Sequence, residues 1–364
     1  MPKITVTNTG GAFECGPQER ILDAALRQGV HLPHNCRGGA CGACKAKVLE
    51  GQVDQGWVMS FGISDEETEA GLRLLCMSTP ASDAVTVQVF GEMQALAADP
   101  IPGAWSAQLV GREAVGQNVR RLTLDVGESF AFVRGQHVEL GEEAGDGGRP
   151  YSVAEAPDPR GFARGGLLHV YVARYEDGVT SRWLCDEARL GDNLTLRGPY
   201  GCFGRRISGQ NLLLVGGGTG FSPLYSIAQG LLENGHAGDV RFVLSARRRE
   251  DLVDLGSLVR LQRTHPNFSW TATLTRDLGH RWLSGRLTAH LASGLIACDG
   301  TTHVLIAGPP AFADDCAAAA RMAGVAECAI EVESYTSRRA TISNAVRASD
   351  ELLRQDHGRS PDAA

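Results

Sequence analysis

No stretch of this sequence is apolar for long enough to span a bilayer, and residues 1–16 carry neither the basic segment nor the apolar core of a secretory leader. A membrane partner is therefore not expected, and the protein reads as cytoplasmic. Positive charge is in deficit. The 35 Lys and Arg residues face 42 Asp and Glu, and a net charge of −7 leaves no strongly basic face for nucleic acid. Aromatic residues make up only 6% of the chain against 45 glycines, a balance that disfavours a helical bundle and suits loops wrapped round cofactors. A reducing compartment also disfavours disulfides, so the ten cysteines need another explanation.

Four of the cysteines form a pattern. Four residues separate Cys36 from Cys41, two separate Cys41 from Cys44, and thirty-one separate Cys44 from Cys76. This C-x4-C-x2-C…C spacing is that of plant-type [2Fe–2S] ligands. The intervening glycines permit a tight loop whose backbone N–H groups approach the cluster sulfurs. Zinc is the main rival, and unliganded buried thiols the remaining one. Zinc sites usually come as two matched C-x2–4-C arms, whereas Cys76 stands alone in the apolar Leu75-Cys76-Met77. Cys15, Cys185, Cys202, Cys298, Cys316 and Cys328 have no metal spacing, and most of them read as small buried hydrophobes.

At 364 residues the chain has room for two or three domains. Residues 3–8 and 12–15 read as a hairpin, 19–28 as a helix and 45–49 as a strand. Ser64 caps a second helix, with Glu67 in the capping-box position, and 84–90 is a closing strand. These first ninety or so residues suit a small β-grasp ferredoxin. The acidic Asp65-Glu66-Glu67 reads as a solvated cap, with a docking role open. Residues 95–103, with two prolines and no periodicity, suit a linker. Short alternating stretches at 106–111, 120–126, 137–140, 167–173 and 193–197 predict an antiparallel β-barrel. Strands at 211–215, 240–246, 270–275 and 303–307, with helices between, predict a parallel doubly wound sheet. The expected organisation is multidomain α+β: an iron–sulfur domain over 1–93, a linker over 94–104 and a barrel over 105–207. A nucleotide-binding domain follows over 208–336, then a polar tail over 337–364 with a short helix near 345–353 and a disordered end.

Two segments carry further chemistry. Residues 216–223 (Gly-Gly-Gly-Thr-Gly-Phe-Ser-Pro) lie between a strand and a helix, where Gly216, Gly217, Gly218, Thr219 and Gly220 let backbone N–H groups approach a pyrophosphate. No lysine follows, so this is not a Walker loop. The other segment is Arg149-Pro150-Tyr151-Ser152. On composition alone Tyr151 is a core aromatic and Arg149 a solvated charge.

Taken together, these motifs resemble the reductase component of bacterial multicomponent oxygenases, within the ferredoxin–NADP⁺ reductase superfamily, over nearly the whole chain. The resemblance reverses the bland reading of Arg149. It implies that Arg149 meets the pyrophosphate of FAD, Tyr151 packs on the isoalloxazine, and Ser152 is the polar group near N5. Gly178-Val179-Thr180-Ser181 matches the segment that closes over the flavin phosphates, through Gly178, Thr180 and Ser181. Gly198-Pro199-Tyr200-Gly201 matches the turn leading out of the barrel. Residues 216–220 become the nicotinamide-nucleotide loop. Glu333-Ser334-Tyr335 resembles a terminal E-x-[FY], with Tyr335 covering the flavin or bordering the nicotinamide pocket. One departure concerns Ala307-Gly308-Pro309-Pro310: the family usually has cysteine at the first position, near the nicotinamide, with the Gly308-Pro309 turn after it. The chain also continues past Tyr335, as some phenol hydroxylase reductases do, and 264–268 resembles theirs.

The function implied is an NADH-dependent reductase passing electrons through FAD and a [2Fe–2S] cluster to a terminal oxygenase component or its ferredoxin. A nicotinamide gives up a hydride and a cluster takes one electron, so a flavin must stand between them. The oxygenase would be a Rieske ring-hydroxylating dioxygenase or a diiron monooxygenase. Arg247 and Arg248 follow the strand at 240–246, where the adenosine ribose should lie. Arginines there suit a 2′-phosphate and the acidic Glu250 or Asp251 a 2′-hydroxyl, so the residues pull both ways; the resemblance implies NADH as the preferred donor, with residual use of NADPH. FMN in place of FAD, an electron carrier without nicotinamide turnover, and a zinc scaffold are the competing readings.

Overall fold

The computed structural model describes residues 1–8, 10–59, 62–90, 99–142, 148–207, 210–277 and 282–334. Within them the chain builds three main sheets in succession. In the first, the hairpin Lys3–Val6/Gly11–Glu14 sets its inner strand parallel to Ala84–Val89. Lys45–Glu50 pairs antiparallel with that strand, and Leu72–Leu74 completes the five-stranded sheet. The helix Ile21–Arg27 buries Ile21, Leu22, Ala25 and Leu26 against it. Ser64 and Glu67 exchange both capping-box hydrogen bonds at the start of Asp65–Glu69. Unforeseen is a two-stranded sheet of Val53–Gln55 with Ser78–Pro80, which flanks Cys76.

The second sheet is antiparallel, in the order Arg149–Ser152, His137–Glu142, Asn193–Tyr200, Gly103–Gly116, Val119–Asp125, Leu167–Ala173. A bridge from Val153 to Val170 brings its two edges together and closes a barrel. Gly103–Gly116 is much longer than its sequence signal. Only Ala107 and Leu109 in it are buried, so the rest shows no apolar alternation.

The third sheet is wholly parallel: Leu283–Ser284, Phe268–Leu274, Val240–Ala246, Asn211–Gly217, Thr302–Gly308, Ile330–Ser334. Apolar side chains cover both of its faces, as a doubly wound sheet requires. Strand order reverses between the first strand's two neighbours, Val240–Ala246 and Thr302–Gly308, which opens a crevice at the carboxyl edge. The short acidic strand Ile330–Ser334 was not legible as a strand.

Residues 99–102 run without helix or strand into the barrel, and Asp99 is ion-paired with Arg205. Burial raises the Asp99 carboxyl to about 6 against that pairing. Cys15, Cys185 and Cys316 are buried as expected, but Cys328 is exposed, in a surface turn before the last strand. No helix among the described residues is long and apolar enough to cross a membrane. Tyr335, residues 95–98 and the tail helix lie outside the described residues.

Candidate functional site

The four patterned cysteines meet at one end of the first domain, as two pairs. Cys36 pairs with Cys41, whose thiol and backbone N–H both face it, and Cys44 with Cys76. Arg37 at φ +50° and Gly39 at φ +75° curl the loop so that Gly38, Ala40 and Cys41 each donate a backbone N–H to Cys36 Sγ, at 3.4 Å. A Cβ on Gly39 would lie 2.9 Å from Met77 Cγ, so glycine at φ +75° lets the loop and the Cys76 segment close on each other without displacing Met77. The Cys41 thiol and these N–H groups hold Cys36 down to about 6, while Cys41 and Cys44 are pushed up, first by Cys36 and Cys76 and then by burial. Among the described residues no three His, Cys, Asp or Glu side chains converge on a point fit for one metal ion. Two thiol pairs fit a two-iron cluster better than a single tetrahedral zinc.

In the barrel, Arg149, Tyr151 and Ser152 share an edge strand. The Arg149 guanidinium makes no ion pair among the described residues. Tyr151 is half-buried against the barrel core, and burial pushes its phenol well above the usual tyrosine range. Elsewhere in the barrel, Ser181 is buried within the short helix Val179–Arg182, its Oγ accepting from Tyr175 N–H at 3.4 Å. Gly178 precedes that helix, and Thr180 sits half-buried in it. The uncommitted cation, the tyrosine and this turn fit a flavin phosphate and ring. Ser152 Oγ donates to Glu333 Oε1 at 2.7 Å, with both side chains buried. Glu333 was noticed in the sequence only as part of a motif. Its contact with Ser152 joins the barrel to the end of the parallel sheet.

The glycine loop stands at the carboxyl edge of that sheet. Gly216 and Gly217 end the first strand, Gly218, Thr219 and Gly220 form one 3-10 turn, and the helix Phe221–Glu233 follows. A Cβ on Gly220 would sit 2.0 Å from the Ala307 carbonyl oxygen, so the helix start rests directly on the strand that ends at Gly308. Pro309 leads into the helix Pro310–Met322. Ala307, the position at which the resemblance led one to expect cysteine, is fully buried. Around this edge, among the described residues, the hydroxyls of Ser222, Thr273 and Ser334 are buried without a partner; the sequence reading had Ser222 and Ser334 only as members of motifs and gave Thr273 no role. Orphaned hydroxyls at a switch point are what a polar ligand would satisfy. Arg247 and Arg248 are exposed. With Gln117, Glu250, Asp251 and Arg276 they line a shallow polar depression beyond Val240–Ala246. Asp251 Oδ2 accepts from Arg248 N–H at 3.2 Å and lies 3.7 Å from Arg247 Nε.

Family models match in the same order: a 2Fe-2S iron-sulfur cluster binding domain over 4–81, an oxidoreductase FAD-binding domain over 106–204, and an oxidoreductase NAD-binding domain over 214–318. The reductase subunit of an aromatic O-demethylase from Amycolatopsis is 31% identical over 85% of this chain and 92% of that protein. The chain belongs to the oxygenase reductase family. The reductase component of a propane 2-monooxygenase from Gordonia is 32% identical over 92% of this chain and 97% of its own length. The crystal structure of an Amycolatopsis cytochrome P450 reductase superposes with a TM-score of 0.79 at 29% identity, covering 93% of this chain and 99% of that one. As a member of this family the chain is an oxidoreductase of the ferredoxin–NAD(+) reductase type, with iron–sulfur, FAD-binding and NAD-binding domains. The fold class, the cofactor set and the kind of electron acceptor expected from the sequence stand.

Proposed function

We propose that Cys36, Cys41, Cys44 and Cys76 hold the [2Fe–2S] cluster and that the chain passes electrons from NADH by way of FAD to this cluster and on to a terminal oxygenase. When bound, the flavin supplies the step between a two-electron donor and a one-electron acceptor. The protein's part is placement. Arg149 meets the flavin pyrophosphate, Tyr151 lies against the ring, and the turn of Gly178, Thr180 and Ser181 closes over the phosphates. The backbone of residues 216–220 receives the nicotinamide pyrophosphate, Gly308 and Pro309 border the nicotinamide side, and Arg247 and Arg248 lie at the adenosine ribose. Ser152 and Glu333 keep a hydrogen-bonded polar pair between flavin and nicotinamide, and Tyr335 covers the flavin or that pocket.

The observation that supports this reading most is the Ser152–Glu333 hydrogen bond, because it ties the flavin strand to the nucleotide crevice. Aromatic, alkane and phenol oxygenases all occur in the names of relatives. The sequence reading considered Rieske and diiron acceptors only. The high coverage of the cytochrome P450 reductase supports a cytochrome P450 as a third acceptor class. Two variants test the residue assignments. Cys41→Ala should abolish the EPR signal of the reduced cluster while flavin reduction by NADH continues. Arg149→Ala should lose flavin on dialysis, since it removes a charge-assisted contact. An unchanged cluster signal, or undiminished flavin retention, would overturn the respective assignment.

A further inference from the structure

The loop that carries Cys36 is docked on the barrel by its own neighbours in sequence. His34 Nε2 accepts the Gly201 N–H at 3.0 Å, and its Nδ1 faces the Leu32 carbonyl at 2.7 Å, which fixes the proton on Nδ1. Asn35 Oδ1 accepts the Cys202 N–H at 2.8 Å. The Arg37 guanidinium carbon lies over the Tyr200 ring, 3.8 Å from its centroid. One guanidinium nitrogen reaches Asp23 in its own domain at 2.8 Å, and another reaches Glu139 of the barrel at 3.0 Å. Tyr200 itself packs into the core of the iron–sulfur domain.

Strand register shows where this contact leads. Tyr200 is paired with His137, and His137 with Ser152, on three adjacent strands. At about 4.8 Å per strand, the Tyr200 backbone lies roughly 10 Å from that of Ser152. We infer that Arg37 is a positioning residue for electron transfer: clamped on Tyr200 and Glu139, it holds the Cys36 loop at the end of a three-residue row that begins at the flavin strand. This inference rests on the flavin and cluster assignments above. One electron leaves the reduced flavin and one enters the oxidised cluster, with no bond made or broken, so the separation the clamp maintains governs the step. The clamp is partly ionic and partly a cation–π contact, so it holds the domain without a covalent link.

Arg37→Met tests it in the full-length holoprotein. Methionine at φ +50° carries the same backbone cost as arginine but loses both ion pairs and the charge over Tyr200. Anaerobic stopped-flow mixing with NADH should show flavin reduction unchanged and the following reduction of the cluster slowed about tenfold, equivalent to about 1.4 kcal/mol. Glu139→Lys, which leaves the cluster loop untouched and faces Arg37 with a like charge, should slow the same step. NADH-driven ferricyanide reduction, which draws on the flavin, should stay at the parental rate in both. A merely structural role would instead lower both steps or the cofactor content together. Parental cluster-reduction rates in both variants would overturn the inference. Loss of the EPR signal in the unmutated protein would instead sink the cluster reading beneath it.

Discussion

Removing the Glu333 carboxylate is the most informative single perturbation of the flavin–nicotinamide junction. Ser152 and Glu333 are 6% and 5% exposed, and the hydroxyl donates to the carboxylate at 2.7 Å. A hydrogen bond to a buried charge contributes about 1.5–3 kcal/mol. If the bond holds the reacting groups in line through the hydride step, its loss slows that step by roughly 10- to 150-fold, since each 1.4 kcal/mol is about tenfold. Glu333→Ala should show that loss in anaerobic stopped flow at saturating NADH, followed as flavin bleaching. Glu333→Gln keeps an acceptor without the charge and should lose at most about tenfold. Ser152→Ala combined with Glu333→Ala should cost little more than either alone, because the pair acts as a unit. A Glu333→Ala protein that keeps its flavin and bleaches at the parental rate would refute the reasoning.

Gly220→Ala forces a Cβ to 2.0 Å from a backbone carbonyl; overpacking of this kind costs about 1–3 kcal/mol, so denaturant unfolding should show lower stability and NADH should bind more weakly, with the cluster spectrum unchanged. Burial, helped by Arg37 and His34, holds His137 down to about 3 from 6.5. Because its folded pKa is depressed, its contribution to stability is complete above about 6.5 and is lost as pH falls toward 3. At pH 5 that loss amounts to about 2 kcal/mol, and His137→Gln should flatten this acid limb in urea melts. Arg248→Ala should leave kcat/KM for NADH nearly unchanged and lower that for NADPH. A clear preference for NADPH that collapses in this variant would mean the arginines outweigh Asp251.

The 2Fe-2S domain was legible because its chemistry calls for cysteines at fixed spacing. The glycine loop was legible because helix Phe221–Glu233 must rest on the Ala307 carbonyl. Arg149, Tyr151 and Ser152 were singled out only by resemblance, since a short edge strand with one buried side chain has no apolar rhythm. Arg37 was invisible as a clamp. Its partners Tyr200 and Glu139 lie more than a hundred residues away, and only the barrel register brings them together. The hydroxyls of Ser222, Thr273 and Ser334 were not singled out in the sequence, because their interest lies in being buried without partners among the described residues.

Electron flow through the whole chain is tested most directly by anaerobic mixing with NADH, with flavin absorbance and cluster EPR recorded on the same sample. The expected result is bleaching of the flavin followed by the rhombic EPR signal of a reduced [2Fe–2S] cluster, from protein containing two irons and two acid-labile sulfides. Protein with zinc in place of iron, or a flavin that bleaches while the iron–sulfur centre stays oxidised, would contradict it.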